Sequence, residues 1–476
     1  MPVMSSTSNA RVPAMTHARL AQAGPAETAP PRSSRSGRNG RRTWAANVIT
    51  AVAALGFGIT LGLGLTAVTR GSLAAPGGLA TAAGQIAGLT GSYLLLVMLL
   101  LIARLPWLEG VLGQDRLVRW HRRLGPWPII LLGSHAVLIT IGYAEQASIG
   151  PWHELGILLT SYPDVLMATV AFALLVMAGV ASFRAARSRL RYETWWAVHL
   201  YTYLAIALAF SHQLADGVSF VGHPLARLFW IVIWALTAGV VLVYRVGLPL
   251  WRTVYHRLRV AEVREEGPGV VSVICAGRHL ERLPVAGGQF LQWRFLRNDL
   301  WWQAHPYSIS ALPRPPFLRV TVKALGDFSE SVANIPVGTR VAIEGPYGVV
   351  TAHSRSGDKV LLVAAGVGVT PMRAILEDLP AAVDVVVVLR APTREDVIFH
   401  HEIAPIVQAR GGRLHVLVGS RHQVRLDSRL LAKLVPDLGT RDVYVCGPEG
   451  FTNRVIGAAK RLGVSPDRIH SESFAF

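Results

Sequence analysis

The hydrophobic rhythm of the chain changes once. Between residues 44 and 250, apolar runs of membrane length alternate with short arginine-bearing segments. Runs of about 20 apolar residues predict transmembrane helices. Six are expected, over 44–68, 79–103, 121–143, 163–182, 194–212 and 225–248. Beyond residue 253 the runs shorten. Arg259–Val263, Gly269–Ala276 and Phe317–Ala324 alternate β-branched with polar residues between Gly and Pro, which predicts a small antiparallel barrel ending near residue 352. Lys359–Ala365, Asp384–Arg390, Arg413–Val418 and Asp442–Cys446 are nearly continuous apolar strands separated by helical segments. That alternation predicts a parallel, Rossmann-like α/β sheet. The expected architecture is a disordered basic tail (1–43), a membrane all-α six-helix bundle (44–252), an antiparallel β-barrel domain (253–352) and an α/β domain (353–476).

Composition agrees with a membrane half and a soluble half. The 476 residues are 51% hydrophobic and 16% charged, too apolar for an ordinary soluble protein. The net charge of +18 would suit a nucleic-acid partner, but no binding motif accompanies it, and none is expected. The arginines instead flank the apolar runs. Arg32, Arg35, Arg38, Arg41 and Arg42 precede the first, and Arg116, Arg119, Arg122 and Arg123 precede or open the third. Arg184, Arg187, Arg189 and Arg191 lie between the fourth and fifth, and Arg245, Arg252, Arg257 and Arg259 close the sixth. The positive-inside rule then puts both termini in the cytoplasm, in the cell membrane. Arg41-Arg42 before an apolar run, with Ser72-Leu73-Ala74 after it, resembles an export signal, yet the run is too long for one and an uncleaved helix is expected. Cys275 and Cys446 are too far apart to suggest a disulfide framework or metal spacing.

Two of the apolar runs carry two histidines each: His121 and His135, then His199 and His212. Histidine in a membrane span is retained when it is paired, faces water or ligates a metal. Fourteen and thirteen residues of helix, about 20 Å at ~1.5 Å per residue, cover most of a hydrocarbon core. Both spans run outward, so His121 matches His199 in depth and His135 matches His212. Two stacked metal sites, each between a pair of neutral imidazoles, satisfy all four; haem iron is the candidate. Helical phase fits less well. His135 falls within ~40° of His121, but His212 lies about 140° from His199 on an ideal helix. The fifth span is therefore expected to bend, to carry a π-turn or to use its frayed end. His153 and His223 are expected in outer loops as surface residues.

His121-Arg-Arg-Leu-Gly…His135 and Tyr192-Glu-Thr-Trp…His199…Tyr203…His212 resemble the ferric reductase and NADPH oxidase transmembrane family. The resemblance spans about 80–250 and continues through the soluble half. It implies that the four histidines ligate two b-type haems stacked across the membrane. His305-Pro306-Tyr307-Ser308-Ile-Ser310 resembles the FAD signature of the ferredoxin reductase superfamily, in its His-Pro form. Tyr307 would pack on the flavin, Ser308 would reach its reactive nitrogen, and His305 could approach the pyrophosphate. Lys323-Ala-Leu-Gly326-Asp-Phe328-Ser329 resembles the second flavin element, where Gly326, backbone amides and Ser329 could cradle phosphate. Glu344-Gly-Pro-Tyr-Gly348 follows it.

Gly366-Val-Gly368-Val-Thr370-Pro371 follows a buried strand and opens a helix, so backbone and helix terminus can approach a dinucleotide phosphate. It resembles the superfamily's nicotinamide loop. Cys446-Gly447-Pro448 resembles the motif that positions the nicotinamide for hydride transfer; a buried structural thiol is the alternative. Arg390, Ser420 and Arg421 end the second and third strands and suit a 2′-phosphate, favouring NADPH over NADH. In relatives a C-terminal aromatic covers the flavin; Phe476 fills that place, with Phe474 in the core. The implied function is transmembrane electron transfer from NAD(P)H through FAD and two haem b groups to an outer acceptor, a ferric chelate or O2. A periplasmic or quinone partner is an alternative acceptor. A histidine proton-relay transporter with a reductase-like sensor is the rival of a different class.

Overall fold

The computed structural model describes residues 35–66, 68–190, 192–297, 300–420 and 423–471. It forms two compact units, 34–251 and 252–476. In the first, apolar length decides the elements. Among the described residues, five helices are long and apolar enough to cross a membrane: Trp44–Thr66, Gly78–Ile102, Arg116–Ala147, Val165–Ser182 and Pro224–His256. The chain is a multi-pass membrane protein. The other expected span lies in a 25-residue helix, Tyr192–Asp216, whose histidines and tyrosines keep it outside that set.

The helices of this unit are α1 (Arg35–Thr66), α2 (Gly78–Ile102), α3 (Gln114–Leu124), α4 (Pro126–Ala147), α5 (Pro151–Ser161), α6 (Val165–Ser182), α7 (Tyr192–Asp216) and α8 (Pro224–Leu242). α2 packs along α4, and α6 along α7. Small residues on α2 permit the first contact. A Cβ on Gly84 would stand 3.1 Å from Ile139, and one on Gly91 3.0 Å from Leu132. Close approach through a small-xxx-small stripe is how helices pack where lipid removes the hydrophobic drive. Leu95, Leu96, Ala171, Leu175, Ala205 and Trp230 form the bundle core. Val52, Leu55, Leu228 and Leu236 are exposed, as lipid-facing residues are.

Two local features differ from expectation. The third span begins earlier, because Gly125 keeps right-handed helical angles and joins α3 to α4 at Pro126. Its arginines therefore stand on the helix rather than in a loop. Residues 151–161, expected as loop, form α5, started by Pro151 at its first position. His153 lies on α5, and His223 is the residue before α8. No π-turn interrupts α7; the π-turn lies instead at Val243–Gly247, after α8. Ser72-Leu73-Ala74 belongs to a short helix, Arg70–Ala74, capped by Thr69 and Ser72.

The second unit begins with two three-stranded antiparallel sheets. Strands β1 (Arg259–Gly267), β2 (Val270–Ala276) and β5 (Phe317–Lys323) form one, in order β1-β2-β5. Strands β3 (Phe290–Phe295), β4 (His305–Ser308) and β6 (Val341–Tyr347) form the other, in order β4-β3-β6. Single bridges join them at both seams, Arg259 to Arg340 and Ile309 to Val320. Trp293, Phe295, Leu291, Val320 and Ile343 fill the space between. Cys275 is fully buried there, and burial pushes its thiol up to about 12, which makes it a packing residue.

Next comes a five-stranded parallel sheet in order β11-β10-β7-β8-β9. Its strands are β7 (Lys359–Ala365), β8 (Asp384–Ala391), β9 (Arg413–Val418), β10 (Asp442–Cys446) and β11 (Ile469–Ser471). Both faces are covered, which explains the continuous apolar runs. β11 was too short to stand out in the sequence. Helices α9 (Val369–Asp378) and α10 (His400–Ala409) pack on this sheet.

Candidate functional site

The four membrane histidines meet as two pairs. The His121 and His199 rings lie 6.2 Å apart between centroids, and the His135 and His212 rings 6.4 Å apart. Two imidazoles ligating one iron from opposite sides, each at roughly 2 Å, hold their ring centres about 6 Å apart. Both pairs have room for one metal and too little for an intervening side chain.

Hydrogen bonds fix which ring nitrogen carries the proton. His121 Nδ1 lies 3.3 Å from the Met98 carbonyl, and His135 Nδ1 lies 2.9 Å from the Gly84 carbonyl. A carbonyl only accepts, so both Nδ1 atoms carry the proton. The two carbonyls are fourteen residues apart on α2, as the two histidines are on α3 and α4, so one antiparallel register serves both. His212 Nδ1 donates to Asp216 Oδ2 at 3.0 Å, one turn along α7. His199 Nδ1 lies 3.4 Å from Ser182 Oγ. That hydroxyl donates its proton to the Ala178 carbonyl and accepts from Trp195 Nε1, so His199 is again the donor. In all four rings the protonated Nδ1 leaves Nε2 with its lone pair for a metal.

Further residues hold these rings. Trp195 stacks on His199 at 5.3 Å, and Arg187 lies 4.8 Å over Trp195. A Cβ on Gly88 would stand 2.7 Å from His135 Nδ1, so only glycine leaves the ring its place. The Gly84-xxx-Gly88 spacing and the four-residue step from His212 to Asp216 were visible signals for these supports. Met98 and Ser182 left none, because a carbonyl and a helix-end hydroxyl have no pattern. Among the described residues there is no cluster of three or more metal-ligating side chains. A site with two protein ligands needs the rest from the bound group, as a porphyrin provides.

In the barrel, β4 carries the His-Pro-Tyr-Ser segment and pairs Tyr307 with Leu291 of β3. His305 stacks on Phe328 at 3.8 Å, and Tyr307 lies 6.5 Å from Phe328, nearly parallel. The two segments therefore form one aromatic wall, with Pro306 between its members. Burial raises the Tyr307 phenol well above its ordinary value, so it stays protonated. Ser308 is buried, and its Oγ has no hydrogen-bond partner among the described residues. Such an orphan beside an aromatic wall fits a flavin whose ring system completes the bond. Ser310 is already engaged: its Oγ accepts from Thr321, which is linked to its strand partner Ser272. Lys323 ends β5. Ser329 Oγ accepts from the Leu325 and Gly326 amides at 2.8 and 3.0 Å, so this turn is self-satisfied. A Cβ on Gly326 would meet nothing within 4 Å, which leaves open space above that turn.

The α/β sheet gathers its candidates at the carboxyl ends of its strands, where such folds bind nucleotides. Gly366 follows β7 with a φ of +57°, a left-handed conformation suited to glycine. A Cβ on Gly368 would stand 2.4 Å from the Cys446 carbonyl, so the loop after β7 presses against the end of β10. That contact unites Gly366, Gly368, Cys446, Gly447 and Pro448. Thr370 and Pro371 are buried in the first turn of α9, with Thr370 Oγ1 bonded to the Val367 carbonyl. Cys446 is fully buried. Arg390 at the end of β8 donates to the Gly419 carbonyl at 3.0 Å, next to Ser420. Arg421, Phe474 and Phe476 lie outside the described residues.

Charges tie the barrel to the α/β sheet. Arg319 of β5 and Arg373 of α9 both bind Glu402 of α10, at 2.6 and 2.8 Å. Arg373 and Arg314 also hold Glu377. Burial alone would raise the Glu402 carboxyl, but bonds and charge from Arg319, then Arg373, bring it down to about 2.

Comparison with known proteins agrees with this division. Residues 87–210 match the ferric reductase like transmembrane component, 258–351 an FAD-binding domain and 362–456 the oxidoreductase NAD-binding domain. The NADPH oxidoreductase of Mycobacterium tuberculosis is 30% identical over 238 residues, covering 48% of this chain and 62% of that protein. The respiratory burst oxidase homolog protein G of Arabidopsis thaliana is 33% identical over 94 residues, 16% of this chain and 11% of that one. The chain thus spans less than two thirds of the length of these curated relatives. Among solved structures, the flavohem-like FAD/NAD binding domain of nitric oxide dioxygenase from Vibrio cholerae is 26% identical. It covers 46% of this chain and 98% of that one, with a TM-score of 0.41. The chain joins a ferric-reductase-like transmembrane component to FAD-binding and NAD-binding oxidoreductase domains, the combination that matches the ferric reductase and NADPH oxidase family.

Proposed function

We infer that this protein is a membrane oxidoreductase that moves electrons from cytoplasmic NAD(P)H, through FAD and two b-type haems, to an acceptor on the outer face. The observation that carries the reading is the pair of facing imidazole pairs, with every Nδ1 engaged, which leaves each Nε2 to serve as a ligand. When bound, the flavin divides a hydride into single electrons and the irons relay them. The chain's own residues do the rest. His121 with His199, and His135 with His212, hold one group each at two depths. The wall of His305, Tyr307 and Phe328 orients the flavin, and Ser308 donates to it. Gly366, Gly368 and the Cys446-Gly447-Pro448 turn shape the nicotinamide site, and Arg390 with Ser420 favours a 2′-phosphate. Phe476, outside the described residues, is the C-terminal aromatic that the resemblance assigns to the flavin.

In this reading α7 is the sixth crossing, both termini are cytoplasmic, and the membrane is the cell membrane. The working domains are 44–252, 253–352 and 353–476, after a basic tail. Ferric chelate and O2 are the acceptors the family resemblance suggests. The test is optical. The purified protein should show a dithionite-reduced b-type spectrum with two haems per chain. His121→Ala and His135→Ala should each remove one. A folded, haem-supplied protein without that spectrum would leave the proton-relay transporter as the better reading.

A further inference from the structure

The end of the bundle that holds the His135–His212 pair also contains a cavity of about 690 Å³. Its wall includes Gln85, Tyr143, Gln146, Glu154 and Tyr162. Two links connect it to the ring pair. Gln85 follows Gly84, whose carbonyl holds His135. Tyr143 lies within electrostatic reach of Asp216, which holds His212, and of Glu154. Tyr143 and Tyr162 stand 6.0 Å apart between ring centres.

Glu154 is the unusual member. It is only 4% exposed, and no hydrogen bond or ion pair holds its side chain among the described residues. Its carboxyl oxygens are reached from the cavity, where a ligand atom can bond with them. Among the described residues, no Lys, Arg or His lines the cavity. An anionic ferric chelate would therefore meet a carboxyl and no compensating cation. Nor, among the described residues, does Glu154 belong to a cluster of three or more metal-ligating side chains. O2 needs neither this volume nor these donors. A flat, neutral molecule with carbonyl oxygens uses all of them: phenols and amides as donors, aromatic rings as walls, and a carboxyl as proton source. The position suits a lipid-borne ligand. Trp152, two residues before Glu154, is 86% exposed, and Leu79, next to the cavity-lining Gly78, is 72% exposed. Exposed Trp marks the headgroup level, where a membrane-dissolved ring can enter.

We propose that this cavity is the acceptor site and takes a quinone, with Glu154 as its proton donor. The proposal rests on the electron-transfer function inferred above. Two electrons, delivered singly and originating in NADPH, and two protons convert both quinone C=O groups to C–OH. Glu154 gives its proton to one carbonyl oxygen and regains one from outer water; water supplies the other. NADPH is oxidised and the quinone reduced.

The test uses the full chain in lipid nanodiscs, without oxygen, with decylubiquinone as the probe. Haem reduced by NADPH, or by stoichiometric dithionite, should be reoxidised with saturation kinetics. Glu154→Gln should slow that step at least tenfold. Ala147→Trp, a change at an exposed lining residue, should raise the half-saturating concentration at least tenfold. Ferricyanide, an oxidant that needs no cavity, should reoxidise all three proteins alike. Decylubiquinone rates that are unsaturable, or unchanged in both variants, overturn the proposal, as does faster reoxidation by ferric citrate or O2. Dithionite-reduced haem that responds to quinone but not to NADPH would instead sink the inferred electron source and leave the cavity's role standing.

Discussion

His212 donates its Nδ1 proton to Asp216 across one turn of α7, 3.0 Å away, while its facing ring, His135, donates to the neutral Gly84 carbonyl. The two imidazoles of one pair are thus held by groups of different charge. A carboxylate behind a ligating histidine makes the ring a stronger donor and favours the more positive metal state.

Replacing Asp216 by Asn should keep the hydrogen bond and remove the charge. Under the proposed haem ligation, the potential of the His135–His212 haem should rise by about 60 mV, a tenfold change in relative affinity for a one-electron couple. The other haem should not move. A redox titration of the b-type spectrum resolves the two, and an unchanged pair of potentials would count against the charge effect.

Gly88→Ala places a methyl group where 2.7 Å separates it from His135 Nδ1. The ring must turn away, since overpacking of this kind costs about 1–3 kcal/mol. The expected result is selective loss of one haem per chain, with the His121–His199 site retained. Gly58→Ala, whose Cβ meets nothing within 4 Å, is the control and should keep both.

Ser308→Ala should act with opposite signs on stability and binding. It removes a buried hydroxyl that has no partner, so the flavin-free protein should be as stable or slightly more so. FAD binding should weaken by about 1 kcal/mol, roughly fivefold, the net worth of one hydrogen bond. Thermal melts without FAD and fluorescence titration with it check both halves.

The Glu402 carboxyl, held near 2 by Arg319 and Arg373 against the effect of burial, gives stability a pH dependence. Its folded value is depressed, so its contribution is complete above the unfolded value near 4.5 and lost as pH falls toward about 2. The contribution at neutral pH is on the order of 3 kcal/mol. Glu402→Gln should lower the thermal transition of the flavin-binding unit at pH 7 and flatten its acid-side decline. Flavin fluorescence followed during heating at stepped pH measures it.

Much of the architecture was legible in the chain. Apolar runs of membrane length mark helices because the bilayer leaves backbone polar groups no other partner. The apolar strands marked the parallel sheet because both its faces are covered. The short barrel strands β3 and β4 were less visible, since each is defined by its neighbours rather than by its own alternation.

The sequence by itself determined which residues carry chemistry: four histidines in two spans, and the glycine, aromatic and hydroxyl motifs of the soluble half. Only the tertiary structure decided how they are held. The angular misfit of His212 is met in the last turn of a regular α7, beside Asp216, because a ring at a helix end answers to its local hydrogen bond as well as to helical phase. The Nδ1 partners of His121 and His135 are carbonyls on another helix, and a carbonyl belongs to every residue. Which one accepts the hydrogen bond depends on how closely two helices approach, and glycines set that distance. The orphaned Ser308 hydroxyl and the cavity-lining Glu154 are likewise invisible along the chain, because burial and the lining of a cavity exist only after folding.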